Sequence, residues 1–138
     1  MVYAGFWKRV VAYVIDSVIL AVGGLLIGFI VGALLVTGGV RDRGGLELML
    51  NLVGVVIVWL YHALLESSTA QATVGKMALG IIVTDLDGDR ISFGRASVRF
   101  FGMFLSALIL GMGFLMVAFT RRKQGLHDMI AGCLVVNV

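Results

Sequence analysis

The chain has 138 residues, of which 60% are hydrophobic and 14% charged. A soluble domain carries roughly 45–50% apolar and about 25% charged residues, so this composition specifies an integral membrane protein, here one domain over residues 1–138. The formal charge of +3 lies mostly beside hydrophobic segments; it reads as topology and contact with the lipid bilayer, and excludes a nucleic-acid surface.

The first hydrophobic segment runs from about Val10 to Val36, long enough to cross ~30 Å of hydrocarbon. The Lys8-Arg9 pair ahead of it resembles the start of a signal peptide, but Asp16 inside the run argues for an uncleaved span. Arg9, Tyr13 and Asp16 lie at its entrance. Seven residues is almost two helical turns, so Arg9 and Asp16 share one face about 10 Å apart along the axis. An acid inside a membrane segment costs at least ~2.5 kcal/mol and requires a partner, water or an ion. Two readings follow: a proton or cation site tuned by Arg9, or a buried ion pair that only orients the helix. Further along, Gly24, Gly28 and Gly32 repeat at four-residue spacing, a small-residue face for packing on the second helix or on another protomer.

A polar loop carrying Arg41, Asp42 and Arg43 leads to the second segment, about Leu46 to Leu65, which ends with His62 and Glu66 on one face. With the N-terminus inside, Glu66 returns to the membrane face of Arg9 and offers it a second carboxylate. Two ligands at helical spacing make a weak metal signal, so solvation at the interface is the simpler reading.

From residue 67 to 97 the chain turns polar. A short interfacial turn, a strand through Ile81 to Thr84, a tight turn at Asp87-Gly88 and a second short strand at Ile91-Ser92-Phe93 are expected. Asp85, Asp87 and Asp89 lack the rest of a calcium loop. The C-terminal string CLVVNV has the same β-branched character and is a pairing candidate for Ile81 to Thr84.

The third segment, Val98 to Thr120, admits a single span or a helical hairpin turning at Leu110 to Gly113. With an inside N-terminus a single span leaves six Lys/Arg inside and five outside, whereas a hairpin leaves nine and two. The positive-inside rule favours the hairpin, which also brings the β-forming stretches together on the cytoplasmic side. The fold class is therefore an all-α membrane protein: two transmembrane helices, a third segment that is a helical hairpin or a single span, and a small cytoplasmic-side β element. In the basic C-terminal region, 121–138, Asp128 either caps a short helix and pairs with a local cation or docks toward Arg9.

Three strings, GFWKRVVAYVID, QATVGKMALGIIVTDLDGDRISFGRASVRF and RRKQGLHDMIAGCLVV, cover nearly the whole chain. Together they resemble the RDD family of small bacterial membrane proteins, whose name refers to one arginine and two aspartates. The resemblance places these at Arg9, Asp16 and Asp128. It implies the bacterial cytoplasmic membrane, with transport the usual suggestion and cation/proton antiport described for some members. Cys133 departs from the threonine usual there. No nucleophile–base pair, phosphate-cradling loop or cysteine pair is present in the sequence, so neither enzyme activity nor a metal or other cofactor is expected. Two functions stand: proton or small-cation transport through Arg9, Asp16 and Glu66, with a homo-oligomer assembling the pathway, or an accessory subunit of a larger membrane complex.

Overall fold

The computed structural model describes residues 1–109 and 112–138. Helix α1 covers Phe6–Thr37 and α2 covers Arg43–Ser67; both are long and apolar enough to cross a membrane. Asp42 starts α2 by accepting a 2.9 Å hydrogen bond from the Gly45 N–H, satisfying one of the donors a helix start leaves free. The burial pattern is that of a protein solvated by lipid. On α1, Leu25 is 76% and Phe29 80% exposed, whereas Asp16, Glu66, Arg99 and Asp128 are buried. In water such a surface would be an aggregation hazard; against acyl chains it carries no such penalty.

A short helix α3, Val74–Ala78, precedes strand β1, Ile81–Asp85. Gln71 adopts φ 52° and accepts the Val83 N–H at 2.7 Å, which fixes the approach to the strand. Asp85 Oδ1 then accepts the N–H groups of Asp87 and Asp89 at 2.9 and 2.8 Å, and Gly88 takes φ 94°, forming the expected turn. The expected second strand at Ile91-Ser92-Phe93 does not form. Ile91 is buried in the core, and Ser92 caps helix α4, Phe93–Leu108, by accepting from the Arg95 N–H at 3.2 Å. A serine before an amphipathic run is a helix start, and that signal prevails over the β-branched residue beside it.

The third apolar segment consists of α4 and α5, Met112–Phe119, with axes 103° apart. It is a broken pair and not one straight span. Within the expected turn, Leu110 and Gly111 lie outside the described residues. Gly113 shows how closely α5 approaches α4: a Cβ there would lie 2.5 Å from Ser106 Oγ. After α5 the chain enters α6, Leu126–Ala131, and strand β2, Cys133–Asn137. β2 pairs antiparallel with β1 in the register Val83↔Val135, and Tyr3 bridges to Val136, so the N-terminus joins the sheet just before α1 begins. Ala4, Ile81, Val83, Ile91, Cys133 and Val135 form the apolar core beneath this end of the helices.

Candidate functional site

Two clusters of polar side chains meet at the sheet-bearing end of the helices. The first surrounds Asp16. Its Oδ1 accepts from the Tyr61 hydroxyl of α2 at 2.7 Å and from the Gly75 N–H of α3 at 2.8 Å, and its Oδ2 accepts from the Thr73 hydroxyl at 2.6 Å. Gly75 is required for this contact, because a Cβ there would lie 2.2 Å from the Ala12 carbonyl oxygen. Asp16 thus fastens α3 against α1 and α2 with uncharged donors.

The second cluster is a chain of five charges drawn from five elements. Lys76 of α3 pairs with Glu66 of α2. Arg99 of α4 donates from Nη1 to both Glu66 oxygens at 2.9 Å, and from Nε to Asp128 Oδ1 of α6 at 2.7 Å. Asp128 Oδ2 receives Arg9 of α1, and Arg9 donates its other terminal nitrogen to the Lys123 carbonyl. Lys123 sits at φ 49°, in left-handed backbone that turns this carbonyl toward α1. Asp128 also accepts the Gly125 N–H at 3.0 Å, so it starts α6 while holding two guanidinium groups.

Burial acts on these charges in opposite directions. It pushes the Asp128 carboxyl up, but Arg99 and Arg9 hold it well below the usual carboxylate range. Burial, reinforced by Arg99, pushes the Lys76 ammonium below its ordinary value. Burial brings the His127 imidazolium down to about 4, so the ring is neutral at pH 7. His127 Nδ1 is 3.3 Å from Ser106 Oγ and its Nε2 is 3.5 Å from Asp128. The arrangement has the residue types of a nucleophilic triad, but Ser106 is fully buried with its hydroxyl against Gly113.

Both clusters border one cavity of about 270 Å³. Arg9, Lys76 and Arg99 line it together with Asp16, His62 and His127. Phe6, Val10, Met103, Phe114 and Val117 add apolar surface, with Phe6 and Val10 next to Arg9 on α1, and Tyr13, 59% exposed, stands at the rim. Among the described residues, two buried side-chain nitrogens have no hydrogen-bond partner: Arg9 Nε, and His62 Nδ1, which lies 3.9 Å from Glu66 Oε1.

Of the residues singled out from sequence, Arg9 and Asp128 are in direct contact, and Glu66 joins them through Arg99. Asp16 shares the cavity but takes its hydrogen bonds from Tyr61, Thr73 and Gly75 instead of Arg9. His62 and Glu66 acquire no third metal-type ligand among the described residues. Gly24, Gly28 and Gly32 lie away from the site, and a Cβ on any of them would meet nothing within 4 Å. Gly24 and Gly28 instead line an open cleft facing Gly54 and Ile57 of α2. Sequence reasoning passed over Arg99 and Lys76, which hold the network together. The available signal for Arg99 was a charge at the start of an apolar run, a weaker form of the signal that drew attention to Asp16 inside one.

Comparison with known proteins agrees with this architecture. The RDD family model matches residues 3–132. The chain is 38% identical to the uncharacterized protein YxaI of Bacillus subtilis (strain 168), over 96% of each chain. It is 31% identical to the uncharacterized membrane protein YteJ of the same organism, over 98% of this chain and 81% of the relative. A third Bacillus subtilis relative, the uncharacterized protein YckC, is 30% identical over 96% of this chain and 83% of its own length. No solved structure matches the chain. With the family model matched over residues 3–132 and a relative 38% identical over 96% of each chain, the chain belongs to the RDD family of membrane proteins.

Proposed function

We propose that this chain is a small multi-pass transport protein of the bacterial cytoplasmic membrane, moving a proton or small cation through the cavity bordered by Arg9 and Asp16. The N-terminus is assigned to the cytoplasmic side, where the basic residues then concentrate. One observation carries the reading. Six ionisable side chains from five elements, Arg9, Asp16, Glu66, Lys76, Arg99 and Asp128, border a single cavity or pair with residues that do. Charges withdrawn from water in a membrane protein are costly and mark ion pathways and proton relays. The role is one of binding and passage, not catalysis.

The test is proton flux in proteoliposomes challenged with sodium, potassium and lithium, comparing the native chain with Asp16→Asn. Flux that depends on one cation and disappears in a monodisperse Asp16→Asn protein supports the proposal. Silence from the native protein sinks it.

A second reading, an accessory subunit of a larger membrane complex, draws support from the open α1 face at Gly24, Gly28 and Gly32. Such a face lets another backbone approach closely. Under this reading a mild-detergent pull-down recovers a partner complex, and recovery of this chain alone counts against it.

A further inference from the structure

We infer that the cavity binds an anionic amphiphile, with a phosphate or carboxylate headgroup at Arg9, Lys76 and Arg99 and an apolar chain against Met103, Phe114 and Val117. The inference rests on the reading of this cavity as the binding site, and does not require that anything cross the membrane.

The arrangement of charge supplies the first argument. Arg9, Lys76 and Arg99 contribute to the cavity wall, whereas Glu66 and Asp128, the carboxylates that pair with them, are not among the residues that line it. The surface seen from inside is therefore cationic even though the surrounding network is nearly balanced. Asp16 is the carboxylate on the wall, and its oxygens are already taken by Tyr61, Thr73 and Gly75. An anion consequently belongs at Arg9, Lys76 and Arg99.

Unused hydrogen-bonding capacity supplies the second argument. Arg9 Nε is a guanidinium N–H without a partner, and His62 Nδ1, on a side chain 7% exposed, also has none. An unmet buried polar group costs ~1–3 kcal/mol, and an anionic oxygen would accept from the Arg9 Nε N–H. Guanidinium groups match phosphate and carboxylate oxygens in shape as well as charge.

The remainder of the wall selects the rest of the ligand. Met103, Phe114 and Val117 offer no hydrogen bond to a hydrated inorganic ion but cover a hydrocarbon chain well. Tyr13 at the rim is flanked on the exposed side of α1 by Val14, 54% exposed, so the mouth adjoins the surface that α1 presents to lipid. A volume of about 270 Å³ holds a headgroup and the first part of a chain, leaving the rest in the bilayer.

The experiment is calorimetric titration of the purified protein in neutral maltoside micelles. Its probes are short-chain phosphatidic acid, the matching phosphatidylcholine and inorganic phosphate. Saturable binding of phosphatidic acid is expected, with the other two weaker by about tenfold or more, a difference of ~1.4 kcal/mol. Met103→Trp fills the apolar side without touching a charge and is expected to weaken phosphatidic acid binding by about tenfold. Arg9→Gln is expected to do the same where it elutes as a folded protein. Equal binding of phosphatidylcholine overturns the inference by removing the role of the cations. Equal binding of inorganic phosphate overturns it by removing the role of the apolar side, and unchanged binding by Met103→Trp overturns it by placing the ligand elsewhere. Binding without ion flux leaves the inference standing and sinks the transport reading; flux without phosphatidic acid binding does the reverse.

Discussion

Arg99 and Asp128, on different helices and 29 positions apart in the chain, are joined by a buried hydrogen bond of 2.7 Å from Nε to Oδ1. The same guanidinium reaches both oxygens of Glu66, so one side chain ties α2 to α6 through α4. This network sits beside the apolar core of Ile81, Val83, Ile91 and Val135 in a protein whose α1 residues largely face outward, so packing at this end combines charge pairing with a small core.

Replacing Arg99 with methionine keeps the stem and removes the pairing, leaving Glu66 and Asp128 each short of a cation. Breaking a buried pair by removing one partner costs ~3–5 kcal/mol. We expect Arg99→Met to lower the apparent Tm sharply in detergent and to reduce monodisperse yield. A melting curve indistinguishable from the native protein would show that the network contributes nothing net.

The acid limb of the stability curve is expected to carry two steps. The folded His127 pKa of about 4 lies below its unfolded value of about 6.5. The unfolded chain therefore binds more protons between these values, and stability falls as pH drops from about 6.5 to about 4. The difference of about 2.5 units corresponds to a loss on the order of 3 kcal/mol. Asp128, held below the ordinary carboxylate range, contributes stability above its unfolded value that is lost only as pH falls from about 4 toward its lower folded value. Thermal melts from pH 7 to 3 check the prediction: His127→Gln flattens the upper step and keeps the lower one. An unchanged upper step in that variant would rule out His127 as its source.

Two glycine substitutions are expected to behave oppositely. Gly75→Ala forces a Cβ to within 2.2 Å of the Ala12 carbonyl and 2.9 Å of the Asp16 carboxyl, so α3 must move off α1. Overpacking of this kind costs ~1–3 kcal/mol or more. Gly28→Ala meets nothing within 4 Å, and alanine favours a helix over glycine by ~1 kcal/mol. Melting temperatures of the purified variants should separate them clearly. A Gly28→Ala protein with an intact fold but an altered elution volume would locate a protomer contact on that face.

Much of the architecture was legible before any tertiary contact was considered. Hydropathy located α1 and α2 to within a few residues, and the β-branched strings Ile81 to Thr84 and CLVVNV did pair. Positive-inside counting favoured a turn in the third segment, and α4 and α5 meet at 103°. The error at Ile91-Ser92-Phe93 arose from weighing a β-branched residue above the capping serine that follows it. The candidate site was legible only in part. Asp16 and Asp128 stood out as acids, whereas Thr73 and Tyr61, which hold Asp16, look unremarkable in a polar linker and at a helix end.

Membrane solvation, the two long spans and the kind of charge placed near their ends were determined by composition and periodicity, because both are properties of the chain itself. The partners of those charges were decided by the tertiary structure. Sharing a helix face brings Arg9 and Asp16 to the same cavity, but a bond requires atoms in reach, and that depends on how α3, α4 and α6 pack around α1. Arg9 therefore meets Asp128, 119 positions away, while Asp16 is held by uncharged donors from α2, Thr73 and α3. Helical spacing specifies which side a residue faces; the neighbouring elements determine what it finds there.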